Sequence, residues 1–196
     1  MSSFWTSMTK DPKRQYRFVM NLSGLGQAGC KWFVKSVDKP NLTFSEASHE
    51  YLNHTFYYPG RASWNSVSVT LVDPADPDAA ATMMAAMKAA GYQPPGVATD
   101  VNSISKSKAT TALGAVTIQQ IDGDGAAVEE WKLHNSWIKS VTLSGLDYSS
   151  DSLSEVTIEI RYDFAEMTVH GGAENTVGPV TAGTSIFGLT PTTTSG

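Results

Sequence analysis

The chain has 196 residues, 41% of them hydrophobic and 17% charged, with a formal net charge of −5. This length and apolar content favour one soluble domain that buries about 70% of its unfolded surface in a single core. The acidic balance argues against tight binding of nucleic acid, which depends on clustered Lys and Arg. The single cysteine, Cys30, excludes an intramolecular disulfide.

Neither export nor membrane insertion is predicted. The first residues, Met1 to Trp5, lack the basic and apolar regions of a secretory signal. No stretch approaches the roughly 18 apolar residues of a membrane span. We therefore expect assembly in a reducing cytoplasm, without membrane anchoring.

Period-two alternation predicts antiparallel strands in the first part of the chain. The first places Tyr16, Phe18, Met20 and Leu22 on one face. After a turn at residues 24–29, further strands are predicted at about 30–37, 49–57 and 66–72. Residues 38–48 are expected to form a polar excursion between the second and third strands.

One helix is predicted after these strands. Asp76 is the expected cap, Pro77 the first helical residue and Gly91 the terminator. A stripe of small and apolar residues at helical spacing suits close packing on a sheet. The stripe contains Ala79, Met83, Ala86, Met87 and Ala90.

The remainder of the chain reads as a loop, four more strands and a tail. Residues 93–113 show no period and indicate a long surface loop, in which Lys106 and Lys108 form a small basic set suited to an acidic partner. Strands follow at 116–118, 128–133, 137–143 and 156–163. Residues 171–196 are rich in Gly, Thr and Ser and cannot fold alone. We predict a domain at 1–170 and a tail at 171–196 that is either mobile or docked on a neighbouring copy.

Three patterns resemble chemical sites but lack essential parts. The glycine spacing of residues 24–29 matches a dinucleotide-binding loop, yet a strand rather than a helix follows. His49 and His54 are five apart on an extended segment, which would place them on opposite faces. Asp122 and Asp124 begin like a calcium loop, but later ligands are missing, and a hairpin turn explains them better. We therefore predict no catalytic, cofactor or metal site and no enzymatic activity.

The succession of strands and turns from Val34 to Asp73 resembles that of the tail tube protein of contractile-tailed, T4-like bacteriophages. A short strand ends at Pro40, a polar excursion follows, a second strand ends in Pro59-Gly60, and Trp64 leads an alternating strand. In the second half of the chain, residues 129–141 and 153–164 also resemble this family. The resemblance covers about residues 14–167.

This resemblance implies an antiparallel β-sandwich or barrel subunit with one flanking helix. Six copies would join their sheets edge to edge into a ring-shaped barrel, and rings would stack into a tube. The implied partners are other copies, the tail sheath, and the baseplate and terminator proteins. The implied location is the virion. Six copies would carry about −30 formal charge, a wall that lets genomic DNA pass without specific binding.

The resemblance also suggests contact residues. In such proteins the excursion after the second strand touches the adjacent ring, which makes Pro40, Leu42, Phe44 and Glu46 candidate inter-ring contacts. The open alternative is that Leu42 and Phe44 pack within their own subunit. Three tryptophans are candidate fold or interface anchors, namely Trp64, Trp131 and Trp137.

Other functions stay open at this stage. The chain could be a ring that initiates or terminates a tube, or a ring protein of a related bacterial contractile injection system. A reading from a different class is a monomeric carbohydrate-binding β-sandwich that presents Trp32, Trp64, Trp131 and Trp137. Polymerisation discriminates among the ring proteins, and sugar affinity identifies the lectin-like alternative.

Overall fold

Eleven strands and two helices are found in a computed structural model, which describes residues 12–25, 33–76, 78–93, 96, 103–170 and the backbone of 185–186. The strands are β1 (Phe18–Leu22), β2 (Val34–Val37), β3 (Leu42–Tyr51), β4 (His54–Trp64), β5 (Val67–Val72), β6 (Val116–Ile121), β7 (Ala127–His134), β8 (Trp137–Leu143), β9 (Glu155–Arg161), β10 (Phe164–Val169) and β11 (Ser185–Ile186). The helices are α1 (Ala79–Ala89) and α2 (Lys106–Leu113).

Two antiparallel sheets enclose the core. One has the strand order β1-β6-β7-β10-β11 and the other β2-β5-β9-β8. Burial alternates along the central strands, so every second side chain of β5, β6 and β9 enters the space between the sheets. This confirms the mainly antiparallel β-sandwich. In the described part of the chain, neither sheet closes on itself into a barrel.

The greatest difference from the sequence prediction is a third, two-stranded sheet formed by β3 and β4. Residues predicted as a polar excursion and a short third strand instead pair along a long hairpin, from Leu42 opposite Trp64 to Tyr51 opposite His54. The polar, low-hydrophobicity sequence of β3 hid the strand, because neither of its faces enters the core.

Pro59-Gly60 lies inside β4 and does not end it. The register shifts between Phe44 and Glu46, where β4 carries an extra residue. The Arg61 backbone N–H donates to Ser45 Oγ over 2.8 Å, and a Cβ added to Gly60 would stand 2.3 Å from the same Oγ. The bulge therefore requires glycine and explains how a proline is tolerated in a strand.

Two helices are present where one was predicted. The Asp78 carboxylate caps α1 by accepting from the Ala81 N–H at 2.8 Å, so the predicted cap at Asp76 was wrong, while Pro77 lies outside the described residues. Gly91, with φ +106°, follows the helix end as predicted.

Helix α2 was predicted as loop. It begins after Ser105, whose Oγ accepts from the Lys108 N–H, and it buries only Ala109 and Leu113. Its eight residues include two threonines and one serine, which have modest helix propensity, so the period was too short to detect. Packing of α2 on α1 and β8 decides its conformation.

The predicted strand at 156–163 corresponds to β9, and a further strand that was not predicted follows it. β9 ends at Arg161, and after Tyr162 and Asp163 the chain enters β10 in the other sheet. The free edge of β10 pairs with β11, Met167 opposite Ile186. Tyr16, predicted on the first strand, precedes β1 and is exposed, and Cys30 lies outside the described residues.

Replacing Ile158 with Ala should lower the free energy of unfolding by about 2–5 kcal/mol, because this side chain is fully buried between the sheets. The neighbouring Thr157→Ala variant is the control, since Thr157 is half-buried on the opposite face of β9. Urea unfolding measures both. Equal losses in the two variants would contradict the placement of the core.

Candidate assembly surface

The hairpin of β3 and β4 extends from the sandwich with both faces exposed. All but one of the residues of β3 are exposed, and so are all but two of those of β4. Its two strands hydrogen-bond only to each other among the described strands. An isolated two-stranded hairpin is at best marginally stable in water, and this hairpin gains no strand pairing from the two larger sheets.

Strand register divides the hairpin side chains into two faces. The acidic face, as we call it, contains Leu42, Phe44, Glu46, Ser48 and Glu50 of β3 with Thr55, Tyr57 and Pro59 of β4. Its two large aromatic side chains, Phe44 and Tyr57, are 65% and 66% exposed. Neither Glu46 nor Glu50 has an ion pair within the described part of the chain. The acidic face thus combines exposed apolar groups with unpaired carboxylates.

The opposite face is aromatic. It contains Ala47, His49, Tyr51, His54, Phe56 and Tyr58. The rings of His54 and Phe56 meet edge to face at 4.9 Å between centroids. Exposed aromatic patches of this kind mark interaction surfaces in soluble proteins.

The structure corrects the argument about His49 and His54. The chain turns at Leu52 and Asn53, so the two histidines stand on neighbouring strands and on the same face of the hairpin. The sequence argument assumed one continuous strand. No group of three metal-binding side chains occurs among the described residues.

The root of the hairpin is anchored to the sandwich. Trp64 packs against the core and its ring lies 6.0 Å from that of Tyr162, whose buried position raises the pKa of its hydroxyl to about 12. Asn65 donates from its backbone N–H to the Asn41 carbonyl over 3.0 Å, and the two side chains are also hydrogen-bonded. Pro40 is buried at this root, so Leu42, Phe44 and Glu46 are the predicted contact residues that the hairpin presents.

A buried ion cluster ties the approach to this root to the rest of the subunit. Glu129 of β7 is only 4% exposed and accepts hydrogen bonds from Lys13, Lys39 and the Trp131 indole. The Lys39 ammonium lies 2.7 Å from Glu129 and also 2.7 Å from Gln120. Three separate segments therefore converge on one carboxylate: the residues before β1, the residues before β3, and β7.

Two opposing effects set the ionisation of Glu129. Burial removes water from the carboxylate and by itself would raise its pKa. Hydrogen bonds from Lys13, Lys39 and Trp131, together with the charge of Lys13, outweigh burial and lower the pKa to about 2. The group is charged at neutral pH and its charge is compensated locally.

The remaining predicted residues occupy varied places. Trp131 packs against the core, and Trp137 lines hollows beside α2. Trp64 also packs against the core, so three of the four tryptophans proposed as a sugar platform share no exposed face; Trp32 lies outside the described residues. Lys106 pairs with Asp163 at 2.6 Å, so its charge is used within the subunit.

Two other sequence motifs are the aspartate pair at 122 and 124 and the glycine pattern at 24–29. Asp122 accepts from the backbone N–H groups of Asp124 and Ala126, both at 2.9 Å, which confirms the hairpin turn. The glycine pattern at 24–29 lies mostly outside the described residues. Among the helices that the structure describes, none has the length and apolarity to cross a membrane.

Comparison with solved structures identifies the fold. A chain of the anti-feeding prophage tube-terminating cap aligns at a TM-score of 0.60 and 17% identity over 82% of this chain and 93% of that one. A chain of the extended sheath–tube complex of an extracellular contractile injection system, PVC, aligns at 0.56 and 17% over 86% and 99%. A chain of the anti-feeding prophage baseplate aligns at 0.54 and 13% over 82% and 97%. No family profile and no curated protein sequence matches the chain.

These alignments span nearly the whole length of the compared chains, so the likeness covers a complete subunit. At this level of identity they establish the fold. They confirm the resemblance drawn from the order of pieces in the sequence, at the level of architecture. The chain has the fold of these chains from the anti-feeding prophage and the PVC contractile injection system.

Replacing Glu129 with Gln should lower the free energy of unfolding by about 2–3 kcal/mol at pH 7. The neutral amide of Gln lacks the negative charge that pairs with Lys13 and Lys39. The folded-state pKa of about 2 lies below the ordinary value of 4.5, so this contribution is complete above about pH 5. It should disappear as the pH falls towards 2.

Urea unfolding of both proteins between pH 7 and pH 2 tests this. Glu155→Gln is the matched control, because its partner Lys35 is largely exposed and such pairs contribute under about 1 kcal/mol. A wild-type advantage over Glu129→Gln that stays constant down to pH 2 would contradict the assignment.

Proposed function

We propose that this chain is the subunit of the inner tail tube of a contractile phage tail. Hexameric rings of it stack into a channel through which DNA passes into the host. The role is structural, with no catalytic, cofactor or metal site. The proposed location is the virion, after assembly in the host cytoplasm.

The observation that carries the proposal is the unsupported hairpin. Phe44 and Tyr57 expose most of their surface on a hairpin whose root is rigidly fixed by Trp64 and the Asn41–Asn65 pair. A hairpin that is anchored at its root and exposes large apolar side chains is suited to contact another molecule. The fold likeness to a chain of a tube-terminating cap and to a chain of a sheath–tube complex supports another copy of this chain as the partner.

The sheet edges offer a second means of association. β1 and β2 are free edges of their sheets among the described strands, and β10 is covered only by the two residues of β11. Unpaired edges associate with other strands unless they are protected. Joining sheets of six copies edge to edge would satisfy these groups and produce the ring-shaped barrel.

The proposed partners follow from this role: the sheath outside the tube, the baseplate at one end and a terminator at the other. The net charge of −5 per subunit suits a lumen that DNA crosses without binding. We propose that residues 1–170 form the ring domain and that 171–196 act as an accessory tail.

A second candidate is a ring that ends or begins a tube. A specific observation favours keeping it: the anti-feeding prophage tube-terminating cap and a PVC sheath/tube terminator, at a TM-score of 0.51, share the fold. The PVC chain with this fold is from an extracellular contractile injection system, which extends the second candidate to a ring protein of such a system. A tube protein forms long stacks of rings, whereas a cap forms single rings.

Replacing Phe44 with Asp should leave a folded, soluble subunit that does not polymerise, because the side chain is 65% exposed in the subunit and would place a charge in the contact between copies. Negative-stain electron microscopy across a concentration series measures tube length and number. Phe44→Leu is the control, since it keeps an apolar side chain and should still form tubes. Tubes of normal length from Phe44→Asp would contradict the role of this face.

A further inference from the structure

We propose that the acidic face of the hairpin docks into a cleft at the open side of the sandwich of the next copy. This inference rests on the proposed self-assembly and names its receiving surface. The cleft, here called the mouth cleft, lies between the edge strands β1 and β2 and has a volume of about 530 Å³. Its apolar lining comes from Tyr16, Phe18, Val37, Ile118 and Trp131.

The mouth cleft suits an aromatic side chain from another strand. Its lining residues belong to both sheets, so the cleft is an uncovered part of the core. Tyr16 is 72% exposed there, although it carries a large apolar ring. Covering such a site with Tyr57 or Phe44 of a second copy would remove apolar surface on both partners, at about 25 cal/mol per Å² buried.

Charge at the rim matches the hairpin. Lys35 and Lys39 line the cleft, and Lys13 shares Glu129 with Lys39; about half of each lysine side chain is exposed. Two carboxylates pair with these three lysines, because Glu129 is shared by Lys13 and Lys39 while Glu155 pairs with Lys35. Among these ion-paired groups the lysines outnumber the carboxylates by one, and their half-exposed ammonium groups border an apolar hollow.

The acidic face presents the complementary pattern. Tyr57 lies between the positions of Glu46 and Glu50, because it pairs with Ser48 on the neighbouring strand. A central aromatic ring flanked by two carboxylates can place the ring in the hollow and the charges on the lysine rim. This arrangement explains why a strand that is exposed on both sides carries its acids on one face only.

Other hollows are competing receiving surfaces. The groove between α1, α2 and β8 is about 160 Å³, too narrow for the hairpin face. The hollow at residues 144–154 is about 700 Å³ and has the apolar residues Leu146, Tyr148 and Leu153, but its charged lining residue, Asp147, would repel Glu46 and Glu50. The hollow beside α2 is about 510 Å³ and carries Arg161 besides the paired Lys106 and Asp163, so it is the competing surface that the Ile104 control below tests.

The hairpin is long enough to reach a second copy. Ten residues of extended chain span about 33 Å, about the diameter of a small domain. The donating and receiving surfaces are different parts of each subunit, so the contact is head-to-tail. Such heterologous contacts generate closed rings or open helical arrays.

Cysteine cross-linking tests the contact directly. In a Cys30→Ser background, Ser48→Cys combined with Ser36→Cys should give a ladder of disulfide-linked oligomers under mild oxidation. Ser48 is exposed beside Tyr57 and Ser36 is an exposed residue of the cleft lining, so both aromatic rings of the proposed contact are kept. Combining Ser48→Cys with Ile104→Cys is the control, because Ile104 is also exposed and lines both hollows on the helical side. We expect at least tenfold more linked dimer from the Ser36 pair.

The outcomes separate the contact from the function. Hollow tubes from reduced protein, with no Ser36 link or with equal linking in the control, would overturn the docking and leave the tube function standing. A Ser36-specific ladder without rings or tubes at any concentration would support the docking and count against the tube.

Charge reversal gives a second measurement that does not depend on thiols. Glu46→Lys with Glu50→Lys should raise the concentration needed for half-maximal assembly by about tenfold or more, with the secondary structure unchanged by circular dichroism. The effect should weaken at high salt, because the rim charges are exposed. Unchanged assembly at low salt would overturn the proposed charge match.

Discussion

A β-hairpin that is exposed on both faces depends on something outside itself for order, and this constraint organises the molecule. The sandwich core is made by alternation on β5, β6 and β9, and among the residues of β3 and β4 only Trp64, at the end of β4, packs against it. Around 20 residues are nevertheless committed to two long, well-paired strands. Their exposed aromatic groups are unfavourable in water, so the proposed contact with another surface would stabilise the hairpin.

The buried carboxylate of Glu129 connects the segment that leads to the hairpin with the sandwich. Glu129 gathers Lys13, from the segment before β1, and Lys39, from the segment that leads to the hairpin, onto β7. Burying a carboxylate is costly unless its hydrogen bonds are complete, and here two ammonium groups and an indole complete them. The cluster therefore fixes the chain at the point where the sandwich meets the hairpin root. The same lysines form part of the rim of the mouth cleft, so one set of charges serves both the subunit and its proposed contact.

The sequence predicts the sandwich well, because the residues that build it face one core. Val67, Val69 and Leu71 alternate with polar neighbours, and this pattern can arise only on a half-buried strand. Gly91 likewise marks the end of α1 through its positive φ. These features depend on residues close to one another in the sequence, so they can be predicted from the sequence.

The misses share a different physical cause. β3 carries no core-directed stripe, because neither of its faces enters the core, and its polar residues are typical of a loop. Pro59-Gly60 normally marks a strand end, but here a bulge stabilised by Ser45 carries the strand through it. Helix α2 forms because α1 and β8 cover Ala109 and Leu113, which no local pattern reveals. The buried cluster joins Glu129 to residues 90 and 116 positions away, so it could not be predicted from local spacing.

Hydrogen exchange measured by mass spectrometry at low and high protein concentration tests most directly whether the hairpin is completed by another copy. Amides of residues 42–64 should exchange rapidly in the dilute subunit, since their hydrogen bonds lie on an unsupported two-stranded sheet, while those of β5 and β9 stay protected. On assembly, protection of the hairpin should rise by an order of magnitude or more. Hairpin amides that are as protected in the dilute subunit as in the concentrated sample would contradict the account.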